Sequence, residues 1–210
     1  MDFTKDYLDI IKNDLSGLNL TRITEPKEFH EKQYLDSIIP FKVSGVLNLK
    51  ESLHLDIGFG GGFPSLPLLY EFKSLNFKSI GLEARSKKVK AVNQIAKKLN
   101  LNNFIGLHMR LEDFLIDQKC IVTFKAVGKV SDFLSRINIQ EKNIQVVFYK
   151  GPGLDQLEPG FEKIKNWKLI EKKNYSVGSN IRTFLVYEPL NLSKVNHKRL
   201  VKLSTIMSNK

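Results

Sequence analysis

Leu55-Asp56-Ile57-Gly58-Phe59-Gly60-Gly61-Gly62-Phe63-Pro64 begins as an apolar run carrying one acid and then breaks into a cluster of glycines. The first part reads as the end of a strand, the cluster as a turn, and the residues from Ser65 as the start of a helix. Glycines permit close backbone approach and left-handed dihedrals, and a helix start offers unpaired N–H groups, so a ligand's polar end can meet backbone donors here. A dinucleotide fingerprint, G-x-G-x-x-G, would need its third glycine at Phe63 or Ser65, and a phosphate loop would need Gly-Lys-Ser/Thr; both are excluded. What remains is Asp56-x-Gly58-x-Gly60-x-Gly62.

Outward from this loop, short apolar runs alternate with helical stretches. Strands are expected at Ser52–Ile57, Lys78–Glu83, Asn103–His108, Ile121–Ala126, Gln145–Tyr149, Trp167–Tyr175 and Thr183–Glu188. Helices are expected at Ser65–Leu75, Lys87–Asn100, Arg110–Phe114 (short) and Val130–Ile137. This rhythm argues for an α/β fold, Rossmann-like, with a mostly parallel seven-stranded sheet covered on both faces. The last two strands are joined by the turn formers Ser176-Val177-Gly178-Ser179-Asn180 and are expected to pair as an antiparallel hairpin. Before the sheet, Asp6–Leu18 and Glu25–Phe41 have helical spacing, the second with Pro26 in its first turn. The expected organisation is an N-terminal helical cap (1–50), the main domain (51–190) and a basic C-terminal tail (191–210), the tail being a helix or a disordered end.

The D-x-G-x-G-x-G spacing is that of loops holding S-adenosylmethionine. Glu83, at the end of the second expected strand, supplies a carboxylate able to accept hydrogen bonds from both ribose hydroxyls. Arg110-Leu111-Glu112-Asp113-Phe114 follows the third strand, where an acid and backbone N–H groups can meet an adenine edge, although acidic turns also serve as caps.

The chain has 210 residues and 42% apolar content, enough for a real core, and no apolar run approaches the length of a membrane span. The early acids argue against a secretory signal, so a cytoplasmic location is expected. Cys120 is the single cysteine and the four histidines are scattered, which excludes an internal disulfide and a cysteine-based zinc site; no metal is expected. Lys and Arg outnumber Asp and Glu 33 to 22, a net charge of +11. The first fifty residues are nearly balanced; the excess comes from clusters such as Arg85, Lys87, Lys88, Lys90, Lys97 and Lys98. Lysine-rich faces also serve solubility, but the net excess favours a polyanionic partner bound with counterion release.

In one order along the chain stand Asn19-Leu20-Thr21, Leu35-Asp36-Ser37, the glycine loop with its Phe63-Pro64-Ser65-Leu66-Pro67 extension, Lys87-Lys88, Arg110-Leu111-Glu112-Asp113-Phe114, Lys150-Gly151 and Arg182. From about Asn19 to Pro189 the chain thereby resembles the bacterial small-subunit (16S) ribosomal RNA guanine-N(7) methyltransferases. It departs from their pattern at Lys32-Gln33, where a basic-His pair is usual, at Lys125, where arginine is usual, and at Glu83 and Phe59. The resemblance implies a class I S-adenosylmethionine-dependent methyltransferase acting on small-subunit ribosomal RNA, free or in a ribosomal subunit intermediate. It implies cofactor contacts at Asp56, Gly58, Phe59, Gly60, Gly62, Phe63, Glu83, Leu111, Glu112 and Lys125. Arg110 and Lys125 would position the substrate at the catalytic centre, and Lys87, Lys88, Arg110, Lys150 and Arg182 would bind RNA. A monomer is the default expectation.

Ring nitrogen 7 of guanine carries an in-plane lone pair and no proton, so no general base is expected. Val122-Thr123-Phe124-Lys125-Ala126-Val127 lacks the proline-rich element used on exocyclic nitrogens, and Cys120 reads as core rather than nucleophile. Phe63 and Phe124 are candidates for stacking on the base or for core. Two other readings stay open: the same cofactor with a protein or small-molecule substrate, and a non-catalytic RNA-binding or ribosome-assembly factor.

Overall fold

Leu53–Ile57 (β1) runs into the glycine loop from the middle of a sheet, because both of its edges are taken by parallel strands: Ser79–Glu83 (β2) on one side and Cys120–Lys125 (β5) on the other. The computed structural model describes residues 2–193 and 199–208. Among these, β2 pairs with Phe104–His108 (β3), β5 pairs in parallel with Ile144–Lys150 (β7), and the sheet is completed by Trp167–Val177 (β8) and Asn180–Pro189 (β9). The order is β3-β2-β1-β5-β7-β9-β8, so β9 lies between β7 and β8 and is antiparallel to both. A bulge in β8 falls between Leu169 and Glu171. The chain leaves β1 toward β2 and returns on the other side as β5, which makes the carboxyl end of β1 a topological switch point, where such sheets bind ligands.

The sheet's residues alternate between two cores. Ile121, Val147 and Val186 face one side, and Val122, Val146 and Leu185 the other, the period of two that a pleated strand imposes. On the first face pack Phe3–Asp14 (α1), Ser65–Glu71 (α4) and Ser86–Lys98 (α5), whose apolar stripe is Val89, Ala91, Val92, Ile95 and Ala96. Val130–Leu134 (α6) and the C-terminal Leu203–Ser208 lie on the second. The N-terminal helices share one continuous core with α4 and α5, through Phe3, Tyr7 and Phe29.

The structure differs from expectation in three places. The helix expected at Glu25–Phe41 is Pro26–Phe29 (α2), a π-helical turn at His30–Leu35 and Asp36–Val43 (α3). The first helix starts at Phe3, because the Asp2 carboxylate caps the N–H groups of Thr4 and Lys5. The short helix expected at Arg110–Phe114 is a single 3-10 turn, Leu111–Asp113, that opens a strand, Phe114–Ile116 (β4). A short helix, Leu154–Leu157 (α7), follows β7; β4 joins Asn138–Ile139 (β6) and Val201–Lys202 (β10) in a small parallel sheet, after which Leu203–Ser208 forms a further helix (α8). Part of the expected tail is thus docked: Leu203 is fully buried, and the Asp117 carboxylate accepts from both the N–H and the hydroxyl of Ser204. Residues 194–198 and 209–210 of that tail lie outside the described residues.

Candidate functional site

The glycine loop is fixed from both sides. Gly60 and Gly62 have φ of +56° and +91°, a left-handed backbone that side chains resist, and a Cβ on Gly62 would come within 2.8 Å of Leu66. The Gly58 N–H donates to the Leu82 carbonyl, tying the loop to β2, and the buried Tyr7 hydroxyl donates to the Gly61 carbonyl at 2.6 Å, tying it to α1. Phe63 and Pro64 are joined by a cis peptide bond.

Under the loop lies a closed ring of side-chain contacts. Asp56 accepts from the hydroxyl and the N–H of Ser65, the first residue of α4, and from the Thr123 hydroxyl of β5. Ser79 donates to Ser65, and the two ring nitrogens of His54 meet Ser79 at 2.8 Å and Thr123 at 2.9 Å, closing the ring. All five residues are fully buried. Burial pushes the His54 pKa down to about 3 and lifts the Asp56 carboxyl to about 7 against the pull of its donors. Asp56 therefore braces the loop and the start of α4 from beneath and does not itself reach the open space above.

That space is a cavity of about 570 Å³, lined by Gly58, Phe59, Gly60, Phe63, Glu83, Lys88 and Lys125 of the expected residues, and by Leu20, Thr21, Arg22, Ile23, Gln33, Arg85 and Ala126. The nearly buried Glu83 carboxylate is held at 3.2 Å by the Gly60 N–H and at 2.9 Å by the Arg85 N–H, which keeps free lone pairs for a diol. Ala126 has φ of +56°, an uncommon backbone for a residue with a side chain, and nothing in its sequence announced it. Phe59 contributes main chain here while its ring packs edge-on to Phe104 over Gly81. A carboxylate at the strand end, an open glycine backbone and a cavity of this size fit S-adenosylmethionine.

Other expected residues stand elsewhere. Arg110, Leu111 and Glu112 occupy the loop beside Glu83, joined to it where the Met109 N–H donates to the Glu83 carbonyl, but none lines the cavity. Arg110 is exposed, Leu111 is buried in the second core, and Glu112 pairs with Arg136 at 2.9 Å. Lys87 is exposed on α5. The Lys150 ammonium is turned inward, 2.6 Å from Glu158 and 2.8 Å from the Gly128 carbonyl. Phe124 is wholly buried and stacked on Phe148 at 4.7 Å, whereas Phe63 reaches the cavity from a cluster with Tyr7 and Phe29. Cys120 is buried with its thiol pKa pushed well up, so it carries no thiolate.

Lys125 and Arg182 meet on a residue absent from the expected set. Asp36, almost fully buried, accepts from the Lys125 ammonium at 3.1 Å, from Arg182 Nε at 3.1 Å and from the Tyr175 hydroxyl at 2.7 Å. The Lys125 ammonium also donates to the Lys32 carbonyl at 3.2 Å and to Gln33 Oε1 at 3.3 Å, and lies 5.9 Å from the Phe63 ring centre. Both partners belong to the π-helical turn. Desolvation lowers the Lys125 pKa, with Asp36 opposing it. Two of the positions that depart from the resembled pattern, Gln33 and Lys125, thus touch each other.

In the comparisons, a structure of a mutant MtNAS in complex with S-adenosylmethionine superposes with a TM-score of 0.59 at 12% identity, over 89% of this chain and 72% of that one. A SAM-dependent methyltransferase from Aquifex aeolicus gives 0.54 at 20%, over 79% and 96%. At such identities the likeness concerns the fold. Ribosomal RNA small subunit methyltransferase G of Mesoplasma florum is 30% identical over 176 residues, covering 82% of this chain and 70% of that protein. The protein of that name from Streptococcus pyogenes serotype M5 is 32% identical over 192 residues, covering 85% and 78%. The family model for rRNA small subunit methyltransferase G matches residues 2–182, and the chain belongs to that family of methyltransferases.

Proposed function

We propose that the protein transfers the methyl group of S-adenosylmethionine to ring nitrogen 7 of a guanine in small-subunit ribosomal RNA. The observation carrying this reading is a single cavity walled by the glycine loop and Glu83 on one side and by Lys125 and Phe63 on the other, in a chain of this family. Bound S-adenosylmethionine supplies an electrophilic sulfonium methyl. Glu83 accepts the ribose hydroxyls, and the Gly58–Gly60 backbone lets the cofactor lie close to β1. Phe63 and Ala126 wall the space toward the incoming base and exclude water from it. Nitrogen 7 presents its lone pair without losing a proton, so the residues act by alignment, which can supply roughly 7–11 kcal/mol when reacting atoms are held about 3–3.5 Å apart. Among the described residues that line the cavity no base–nucleophile pair stands, in keeping with this chemistry, and Cys120 is buried elsewhere. The guanine has to leave its stack to reach the cavity, which favours an unpaired loop as substrate.

The test is transfer of labelled methyl to small-subunit ribosomal RNA, and to precursor and mature subunits, from cells lacking the gene, followed by nucleoside analysis. A single new 7-methylguanosine is expected. Measurable cofactor binding without transfer to any of these substrates would overturn the reading.

A further inference from the structure

Beside the cofactor cavity, and sharing Lys125 with it as a common wall, is a second cavity of about 220 Å³ bordered by Asp36, Pro152, Asn180 and Arg182. Its one carboxylate is spent: Asp36 already takes Lys125 and Arg182 and the Tyr175 hydroxyl. Lys125 is spent as well, its ammonium divided among Asp36, the Lys32 carbonyl and Gln33. Arg182 differs. Its Nε is given to Asp36 and it lies against the Tyr175 hydroxyl, but a guanidinium has more N–H donors than these contacts use, and its end borders the cavity. The unspent capacity of this cavity is therefore cationic and fork-shaped.

A guanidinium fork has two habitual nucleic-acid partners, the O6/N7 edge of guanine and a phosphate. The first would cover the very nitrogen that has to be methylated. We propose that the second cavity seats a backbone phosphate of the RNA strand next to the target guanine, bound by Arg182, and that Asp36 is the positioning residue that aims Arg182 at it. Asp36 comes from the N-terminal helices, Arg182 from β9 and Lys125 from β5, so one buried carboxylate sets these two cations between the cavities. The inference rests on the RNA substrate proposed above.

The charge of Asp36 makes the test decisive in sign. Replacing it by asparagine removes a negative charge, so electrostatics alone predicts tighter RNA binding; loss of Arg182 positioning predicts weaker binding. Unmodified small-subunit ribosomal RNA is titrated with the wild type, Asp36→Asn, Arg182→Ala and Asp36→Asn/Arg182→Ala over a range of salt, with cofactor affinity and thermal unfolding measured on each. Arg182→Ala is expected to weaken RNA binding about tenfold and to flatten the log–log salt slope by about 0.7. Asp36→Asn is expected to weaken it several-fold with cofactor affinity unchanged, and the double variant to match Arg182→Ala. Tighter binding by Asp36→Asn, or full affinity in Arg182→Ala, overturns the proposal. Should Asp36→Asn fail to fold, Arg182→Gln decides: it keeps an N–H donor for Asp36 but removes the cation, so wild-type RNA affinity there overturns the phosphate assignment. Methyl transfer is read separately: a wild type that binds this RNA but methylates neither it nor precursor or mature subunits ends the proposed reaction and leaves the phosphate site standing, whereas a wild type that binds neither this RNA nor those subunits ends both.

Discussion

Asp56 looked from its spacing like a cofactor ligand, yet its neighbours give it different work. Ser79 passes its proton to Ser65, so His54 donates to Ser79 through Nδ1 and faces Thr123 with a bare Nε2, while the single proton of Thr123 points at Asp56. With Asp56 ionised, the ring is one proton short. Protonating it mends the ring, which agrees with a carboxyl lifted to about 7 from an ordinary 3.8. A raised carboxyl pKa contributes stability that is complete below about pH 4 and is lost as the pH rises through 7. Asp56→Asn supplies a permanent donor to Thr123, so the wild type should lose stability relative to this variant by an amount on the order of 4 kcal/mol between pH 4 and 8. Denaturant unfolding of both proteins across that range is the measurement, and a difference that does not change with pH refutes the account. At Glu83 the change should be felt by both the cofactor and the loop: Glu83→Gln halves the acceptors facing the ribose, so calorimetric cofactor affinity should fall about tenfold, and it leaves one of the Gly60 and Arg85 N–H groups without its acceptor, so denaturant unfolding should show a loss of about 1–3 kcal/mol.

At the scale of elements, α8 and β10 give the clearest prediction. Leu203 fills a fully buried place in the second core, so Leu203→Ala should cost about 2–5 kcal/mol in denaturant unfolding, where a loose tail would cost nothing. The seven long strands were legible because each carries a short apolar run bounded by turn formers or helical stretches, richest in β-branched and aromatic residues at Cys120–Lys125 and Ile144–Lys150. β4, β6 and β10 were not, since two or three residues cannot display a period. The π-helical turn was hidden inside an unbroken helical pattern, yet it is what turns the Lys32 carbonyl and Gln33 toward Lys125. The glycine loop after β1 and Glu83 at the end of β2 were expected together from the sequence, and they line one cavity. Leu20-Thr21 and Asp36 stood in motifs to which no role was given, and Tyr7 in none, because their partners lie far away in sequence: Asp36 meets Arg182 and Tyr7 meets Gly61 only once the helices are packed.

Across the whole molecule, a net charge of +11 and the cations Arg22, Arg85 and Lys88 around the cavity imply an RNA affinity that falls steeply with salt. On a single strand each phosphate neutralised should add about 0.7 to the log–log slope, while the affinity for the cofactor stays nearly flat; equal salt dependence of the two would contradict the division of the site. The order of strands has a further consequence, for the protein's own synthesis. β9, translated after β8, has to slot between β7 and β8, and it brings Arg182 with it. Until then β7 presents a bare edge, and Asp36 waits with one cation in place of two. The glycine loop, Glu83 and Lys125 all precede β9 in the chain, so the walls of the cofactor cavity are made before the strand that delivers Arg182 to the second cavity, and the two cavities are completed in a fixed order.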